Sequence, residues 1–390
     1  MMIERGCPVC ESPRVSGFLR REGVPVHQNL LMGDQRSAVG IARGDLDLAF
    51  CGACGFVFNA AFDISRLDYN ESYDNTQSHS PTFDGHLRDL VRYMVSEKGV
   101  RDRRIVEVGC GKGSFLRELV AAEGAGNSGV GFDPSYEGPT TDLGGRLRFE
   151  RRFYGPELAH VPADVVVCRH VIEHVPEPVE LLRAIRQALY GSPHARVFFE
   201  TPCVAWILRN RVIWDFFYEH CSYFTAASLT TAFEASGFEV EDVRHVFGGQ
   251  YLWLEAKVSD EEPEASKEPG DVPVLAERFS ASEGELKKDW KARIRGLADG
   301  GKVALWGAGA KGVTLANLVD GGRELLDCVV DLNPQKQGRY LPGTGHPIIG
   351  YEDLAPRGVA TALLMNPNYR EENAALLEKA DSSVELVEDI

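Results

Sequence analysis

The sequence predicts an α/β protein in which two doubly wound sheets follow a small cysteine-rich segment. Three observations support this fold class. From Arg104 onward, short apolar runs alternate with amphipathic stretches, and a strand followed by a glycine turn occurs at Gly109 and again at Gly307. An acidic, proline-containing stretch at 258–273 separates the two units and is typical of a linker.

The first α/β unit is expected to begin after a helix that runs from about Pro81 to Lys98. Short apolar runs predict its strands, and longer amphipathic stretches predict the helices between them. The strands are expected at Ile105–Val108, Gly129–Phe132, Val165–Cys168 and Val197–Glu200, with helices at Leu116–Ala122 and Val179–Leu189 and closing strands at Val240–Val243 and Tyr251–Ala256.

The second unit is expected to open with a helix from about Ser282 to Leu297 and the strand Lys302–Trp306, and to continue to the C-terminus. The predicted division of the chain has four parts. They are a cysteine-rich, zinc-binding domain at 1–80, an α/β domain at 81–257, a linker at 258–280 and a second Rossmann-like α/β domain at 281–390.

Composition restricts the partners. The net charge of −16 argues against nucleic acid or an anionic membrane, because both need a basic protein surface. No run of eighteen apolar residues and no apolar N-terminal segment occur, so we expect a cytoplasmic protein without a membrane span. A small molecule is the expected partner; the oligomeric state is left open, with a monomer possible.

The first glycine turn predicts a site for S-adenosylmethionine. Gly109, Gly111 and Gly113 follow a strand and let the backbone turn sharply beside a ligand. Their spacing differs from the Gly-x-Gly-x-x-Gly of dinucleotide sites. Asp133, twenty residues after Gly113, is placed to accept ribose hydroxyls, and Glu107 is placed to orient the methionine ammonium.

The segment around the fourth strand supports the same cofactor. The sequence VVVCRHVIEHV follows the class I methyltransferase pattern, with His170 on a loop that faces the cofactor. Phe153 precedes this strand, where adenine contacts often lie, although a core phenylalanine explains it equally well. The alternative for the whole region is any Rossmann-like sheet with a glycine turn.

Two CxxC motifs predict a structural zinc site. Cys7 and Cys10 form one pair, and Cys51 and Cys54 form the other. Four thiolates complete a tetrahedral site with no open position, and metal binding would help to fold a small segment. The alternative, a redox-active CxxC, needs a thioredoxin-like context that the sequence does not show.

A cluster of polar side chains among aromatics predicts acid–base chemistry. Tyr218, Glu219, His220 and Tyr223 lie within six positions, after a strand that ends at Thr201. A histidine beside a carboxylate suits proton abstraction next to a carbonyl, with a tyrosine hydroxyl steadying the enolate. The alternative is an aromatic core strand with a polar rim.

The second glycine turn, Gly307-Ala-Gly-Ala-Lys311-Gly312, fits Gly-x-Gly-x-x-Gly, with Asp331 nineteen residues later. Taken alone, it suggests an NAD-dependent oxidoreductase. A helix N-terminus together with Lys311 would also suit the diphosphate of a substrate, and a purely structural turn is the remaining alternative.

With these motifs in order, the chain resembles the three-domain sugar C-methyltransferases of deoxysugar and natural-product biosynthesis. The resemblance covers almost the whole chain. Its pieces are the paired CxxC motifs, a Tyr-rich segment ending near Gln77-Ser78, EVGCGKGSF, HVIEHVPEP, ETP, EHCSYF, GAGAKGVTLAN and DLNPQKQGRYLPGT. It implies a zinc-binding N-terminal domain, a class I methyltransferase domain and a C-terminal Rossmann-like domain.

The resemblance also implies the reaction and further site residues. A nucleotide-linked 4-keto-deoxysugar loses a proton to the general base, which matches His220, with Glu219 as its acidic neighbour. Within the motifs that carry the resemblance, the cofactor is expected to contact Tyr73, Gln77 and Ser78, and the substrate to contact His174, Thr201 and Lys311.

This chain departs from the family at one catalytic position. The family usually has Tyr-x-Glu-His, and here Phe217 replaces the tyrosine. Tyr218 or Tyr223 would have to supply the hydroxyl, or the substrate differs. O- or N-methylation of another small metabolite, an NAD-dependent oxidoreductase and a non-catalytic zinc-containing binding protein are therefore the alternatives.

Overall fold

A computed structural model of the chain describes residues 6–67, 80–192, 194–259, 265 and 267–388. Its strands are β1 Val15–Pro25, β2 Arg43–Cys51, β3 Val57–Asn59, β4 Arg104–Val108, β5 Ser128–Phe132, β6 Thr141–Asp142, β7 Leu147–Glu150, β8 Val165–Arg169, β9 Arg196–Pro202, β10 Ser222–Tyr223, β11 Phe238–Val246, β12 Tyr251–Val258, β13 Lys302–Trp306, β14 Cys328–Val330, β15 Ile348–Ile349, β16 Val359–Leu364 and β17 Glu385–Val387. Its α-helices are α1 Gln35–Val39, α2 Pro81–Ser96, α3 Ser114–Ala121, α4 Pro178–Ala188, α5 Val204–Arg209, α6 Ala226–Glu234, α7 Val272–Ala298, α8 Ala310–Val319 and α9 Arg370–Lys379.

The central sheet has the order β11-β12-β9-β8-β4-β5-β7-β6. Strands β7, β5, β4, β8 and β9 are parallel, and the antiparallel pair β11 and β12 extends one edge. The chain runs outward from β4 in one direction through β5 and in the other through β8. Ligands of such sheets bind at this switch point, beyond the carboxyl ends of the strands.

The C-terminal sheet is parallel throughout, in the order β15-β14-β13-β16-β17. Its own switch point lies between β13 and β16, where the second glycine turn begins. The core of this unit packs apolar side chains of β13 and β14 against α8, including the fully buried Val303, Leu305 and Val313.

The N-terminal sheet has the order β1-β2-β3-β10 and is antiparallel. Strand β10 comes from the middle of the chain, so this sheet is continuous with the segment that carries the predicted catalytic cluster. Arg21 of β1 is buried and donates to Glu283 of α7 at 2.7 Å, which ties the sheet to the C-terminal part of the chain.

The predicted elements match the observed ones closely, with one clear exception. The helix expected from about Ser282 begins at Val272, inside the predicted linker. Pro273 suits the first turn of a helix. Val272, Ala276 and Phe279 are buried and form an apolar stripe at helical spacing, which extends the helix toward its N-terminus. Within the described part of the chain, no helix has the length and apolar character needed to cross a bilayer.

Candidate active site

The four cysteines predicted as metal ligands come together beside the end of β2. Cys7 Sγ lies 3.7 Å from Cys54 Sγ, and Cys10 Sγ lies 3.6 Å from Cys51 Sγ. Thiolates bound tetrahedrally at about 2.3 Å from a zinc ion are separated by about 3.8 Å. The backbone N–H groups two residues after Cys7 and Cys51 point at these sulfurs, so the cluster fits a four-thiolate metal site.

The first glycine turn follows β4 at the switch point of the central sheet. Gly109, Gly111 and Gly113 have φ angles of 70°, 52° and 77°, which residues with a Cβ rarely adopt. A Cβ on Gly109 would lie 2.1 Å from Val171 Cγ2. The turn therefore brings bare backbone close to the cavity behind it, and α3 begins directly afterwards at Ser114.

Two carboxylates border this cavity. Glu107 is buried, and its Oε2 has no hydrogen-bond partner among the described residues. Burial raises the pKa of Glu107 to about 8, although the charge of Arg169 opposes the shift. Asp133 accepts from the Gly111 N–H at 2.8 Å and, through its other oxygen, from Ser135. An ammonium group and ribose hydroxyls would satisfy these carboxylates, so the site fits S-adenosylmethionine.

This cofactor cavity encloses about 300 Å³. Phe153 lies at its rim and is 65% exposed, so its ring is available to stack on a bound aromatic group. Tyr73, Gln77 and Ser78, which the resemblance assigns to the cofactor, lie outside the described residues.

His170 stands where the cofactor cavity meets a second cavity, and it lines both. Its φ angle of 54° is unusual for a residue with a Cβ, and such positions cluster at functional sites. The imidazole lies 3.4 Å from Glu173 Oε1 and 3.5 Å from Glu200 Oε2. Burial alone would lower the pKa of His170, but these two carboxylates outweigh it and raise the pKa to about 9.

The second cavity, here called the acceptor cavity, encloses about 280 Å³. All three parts of the chain contribute to its wall: Asn29 from the N-terminal part, His174 and His220 from the middle and Lys311 from the C-terminal part. Because His174 also lines the cofactor cavity, the two cavities adjoin along His170 and His174. A molecule in the acceptor cavity would therefore lie next to the cofactor.

The rings of His220 and His174 meet edge to face, with centroids 4.7 Å apart. Burial, followed by the nearby positive charges of His174, His170 and Lys311, lowers the pKa of His220 well below its usual value. His220 is therefore neutral at pH 7. A neutral imidazole that faces a substrate cavity is able to accept a proton.

Glu219 also lines the acceptor cavity, and it is fixed by the N-terminal part of the chain. Its Oε1 lies 3.2 Å from His27 Nδ1, and its Oε2 accepts from the backbone N–H of Gln28 at 2.9 Å. The loop that follows β1 thereby sets the position of the carboxylate next to His220.

The two predicted catalytic tyrosines do not reach the acceptor cavity. The Tyr218 hydroxyl accepts from the Asp63 N–H at 2.9 Å, and the Tyr223 hydroxyl donates to Phe217 O at 3.2 Å. Both rings are buried where the N-terminal sheet packs on the central part of the chain. The expectation that either hydroxyl meets the substrate is therefore corrected, because both hydroxyls form hydrogen bonds with backbone atoms inside the protein.

Thr201, expected at the substrate, is also turned away from the cavity. It is 1% exposed and donates to Glu173 Oε2 at 3.0 Å, so it orients that carboxylate instead. Other tyrosines nevertheless line the acceptor cavity: Tyr369, and Tyr251 with its ring 4.6 Å from that of His170. Phe217, at the position of the family tyrosine, lines the same cavity.

The second glycine turn forms the far end of the acceptor cavity. Asp331 follows β14 and accepts from the Ala308 N–H at 2.8 Å, as Asp133 does from Gly111 in the first unit. Lys311 lies in the first turn of α8, where its Nζ is 2.8 Å from Asp215 Oδ2. This end of the cavity is therefore lined by a helix N-terminus and a lysine, which favour an anionic group.

Sequence reasoning missed several residues of the acceptor cavity. Three of them are distant from the motifs in sequence and carry no local signal: Asn29, Gln250 and Tyr251. Asp215 lies three residues before Tyr218, and Lys336 lies within the segment DLNPQKQGRYLPGT, but the sequence alone assigned neither a role. Glu173 could have been predicted as a site residue, because it lies between the two histidines of the HVIEH motif.

Comparison with known proteins agrees with this arrangement. A methyltransferase domain family matches residues 77–243, and a C-methyltransferase C-terminal domain family matches residues 264–384. C-methyltransferase NovU of Streptomyces niveus is 30% identical over an alignment of 390 positions, which covers 94% of this chain and 90% of NovU.

Other relatives match only part of the chain. A ubiquinone biosynthesis O-methyltransferase of Yersinia enterocolitica is 33% identical over 122 residues, or 30% of this chain and 47% of its own length. The crystal structure of the Burkholderia thailandensis 1,6-didemethyltoxoflavin-N1-methyltransferase is 18% identical, with a TM-score of 0.35, and covers 46% of this chain and 84% of its own.

The family matches cover both α/β units, and the similarity to NovU extends over nearly the whole chain. They confirm the predicted fold class, with a class I methyltransferase domain, and they confirm the predicted enzyme class, an S-adenosylmethionine-dependent methyltransferase. The chain therefore belongs to the C-methyltransferase family that its sequence resembles.

Proposed function

We propose that this enzyme methylates a carbon atom of a nucleotide-linked 4-keto-deoxysugar in natural-product sugar biosynthesis. The observation that supports this proposal best is the course of the acceptor cavity. It runs from His220 and His174, beside the cofactor cavity, to Lys311 and the glycine turn after β13. A substrate with a reactive sugar at one end and a diphosphate at the other matches this distribution of groups.

In this reaction, His220 takes the proton from the carbon next to the ketone, and the electron pair of that bond moves to the ketone oxygen as an enolate. We assign the stabilisation of the developing negative charge to protonated His170 and to Tyr251, which line the cavity next to each other. Bound S-adenosylmethionine would supply an electrophilic methyl group. The enolate carbon would form a bond to it as the methyl–sulfur bond breaks, and the neutral thioether S-adenosylhomocysteine would be the leaving group. Glu219, held by His27 and Gln28, stabilises the imidazolium that forms.

The nucleotide end of the substrate is assigned to the second glycine turn. Lys311 pairs with Asp215 in this structure, and Lys336 is buried with its Nζ 3.2 Å from Asn29 Oδ1. A diphosphate that enters the cavity would compete with Asp215 for Lys311 and with Asn29 for Lys336. Asp331 occupies the position from which Asp133 is proposed to bind ribose in the first unit.

The remaining site predictions become part of the same proposal. Glu107, Asp133, the three glycines of the first turn and Phe153 would hold S-adenosylmethionine. The four-cysteine cluster would hold one zinc ion as a structural element, and metal analysis is expected to find about one zinc per chain. The three sheets support the division into domains at 1–80, 81–257 and 281–390, while α7, which begins at Val272, shortens the linker predicted at 258–280.

Phe217 favours a second candidate, O- or N-methylation of another small metabolite. The family tyrosine is absent at this position, and an amine would not need a base. Under this candidate, the same cavity would accept a nucleophile that is already electron-rich, and His220 would have a smaller effect on turnover.

The proposal is tested with a panel of nucleotide-linked keto-sugars and labelled S-adenosylmethionine, with mass spectrometry of the products. We expect a carbon-bound label, and exchange of one carbon-bound hydrogen for deuterium in heavy water before methyl transfer. His220→Asn should abolish both reactions while S-adenosylmethionine still binds in calorimetry, and Tyr251→Phe should slow both. His160→Asn, an exposed histidine, is the matched control. A label on oxygen or nitrogen, or full exchange in His220→Asn, would favour the second candidate.

A further inference from the structure

We propose that Glu173, His174 and His220 form a second metal site, which takes a divalent transition-metal ion of the zinc, cobalt or nickel class. We call these three residues the His–His–Glu cluster. A bound ion and a proton-accepting His220 would then exclude each other. Only this last step rests on the proposed function; binding of the ion does not.

The geometry of the cluster supports the proposal. One carboxylate oxygen of Glu173 and one ring nitrogen each of His174 and His220 all lie within 4.8 Å of one another. Two imidazoles and a carboxylate are the ligand set of zinc sites that keep a fourth position open, with ligand distances of about 2.0–2.2 Å. Small rotations of the side chains would bring the three atoms to that distance.

Glu173 is prepared as a ligand by its surroundings. It is 1% exposed, and its Oε2 is held by the Thr201 hydroxyl at 3.0 Å. Its Oε1 is buried, has no hydrogen-bond partner among the described residues and lies 3.4 Å from His170 Nδ1. Partners such as Thr201 orient metal ligands, and a buried oxygen without a donor is satisfied when it binds a cation.

His220 offers a nitrogen lone pair to the same space. Neither of its ring nitrogens has a hydrogen-bond partner within the residues that the structure describes. The lone pair binds either a proton or a metal ion, so metal binding removes the proton-accepting group. Imidazole ligands favour zinc, copper, nickel or cobalt, whereas magnesium and calcium prefer oxygen ligands, which fixes the class of ion.

The first test is a cobalt(II) titration of the full-length protein with its cysteine cluster already filled with zinc. Cobalt bound by two histidines and a carboxylate gives visible d–d bands without the near-ultraviolet charge-transfer band of thiolate ligation. We expect one equivalent of cobalt with this spectrum. Replacing a ligand should weaken binding at least about tenfold in His220→Asn, His174→Asn and Glu173→Gln. The matched control, His160→Asn, should titrate as the wild type does.

Folding of each variant is checked by urea unfolding. Calorimetric binding of S-adenosylmethionine is a second check for His220→Asn and Glu173→Gln, because neither of these residues lines the cofactor cavity. A wild-type protein that binds no cobalt except through thiolate ligands, or a folded His220→Asn variant that binds cobalt as the wild type does, would overturn the proposal.

The second test adds zinc to the methyl-transfer assay. Loss of turnover should follow the zinc affinity of the cluster and be reversed by a chelator too weak to empty the cysteine site. If turnover stays the same when the His–His–Glu cluster is filled with zinc, metal binding and proton acceptance by His220 do not exclude each other. If the enzyme transfers no methyl group even without metal, that result counts only against the proposed function.

Discussion

The buried carboxylate of Glu107 makes the cofactor-free protein sensitive to pH, and Glu107→Gln is expected to remove that sensitivity. Burial raises the pKa of Glu107 from its ordinary value of 4.5 to about 8. Between these pH values the folded chain holds a proton that the unfolded chain has released, so the free energy of unfolding falls as the pH rises. At about 1.4 kcal/mol for each unit of pKa, the difference between 4.5 and about 8 corresponds to at most about 5 kcal/mol of unfolding free energy.

An amide at this position does not titrate, so the variant should keep its stability where the wild type loses it. Binding of S-adenosylmethionine should change in the opposite direction. The carboxylate is placed to accept from the methionine ammonium, and a hydrogen bond to a charged group contributes about 1.5–3 kcal/mol. The variant is therefore expected to bind the cofactor at least about tenfold more weakly, although it is the more stable protein above about pH 8.

Urea unfolding at about pH 5 and about pH 9 measures the first effect, and calorimetry with S-adenosylmethionine measures the second. Glu123→Gln, on the exposed surface, is the matched control and should behave as the wild type. If the wild type and Glu107→Gln lose the same stability between the two pH values, the buried carboxylate does not control this dependence. If the variant binds S-adenosylmethionine as tightly as the wild type, Glu107 does not contact the ammonium.

Two further substitutions probe the turn and the C-terminal unit. Gly109→Ala places a Cβ 2.1 Å from Val171 Cγ2, whereas Gly111→Ala, also at positive φ, meets open space. Gly109→Ala should lose about 1–3 kcal/mol more than Gly111→Ala, both in the free energy of unfolding measured with urea and in the free energy of cofactor binding measured by calorimetry. Equal losses in the two variants would contradict the argument from the contact with Val171. His346→Ala leaves the buried Asp320 without the imidazole that lies 3.0 Å away, which should cost about 3–5 kcal/mol of unfolding free energy in urea titrations. A loss below about 1 kcal/mol would show that the backbone N–H groups that bind Asp320 suffice.

Local pattern was a reliable guide where one segment contains all the residues that decide its structure. The helix at Pro81–Ser96 and the strand at Lys302–Trp306 were predicted within two residues, because their apolar spacing is a local property. The start of α7 at Val272 was missed because the apolar stripe of its first turns lies inside an acidic stretch with several prolines. Burial of that stripe against the rest of the chain outweighs the linker-like composition.

The sequence by itself determined the two glycine turns, the carboxylate that follows each of them and the paired cysteine motifs, since each depends on close spacing along the chain. Only the tertiary structure decided which tyrosines line the acceptor cavity. Tyr218 and Tyr223 lie beside His220 in the sequence yet are buried in the core, while Tyr251 comes from another strand. His27 contacts Glu219 across 192 positions of the chain. Such contacts depend on how the sheets pack on one another, and the periodicity of a single segment carries no information about that packing.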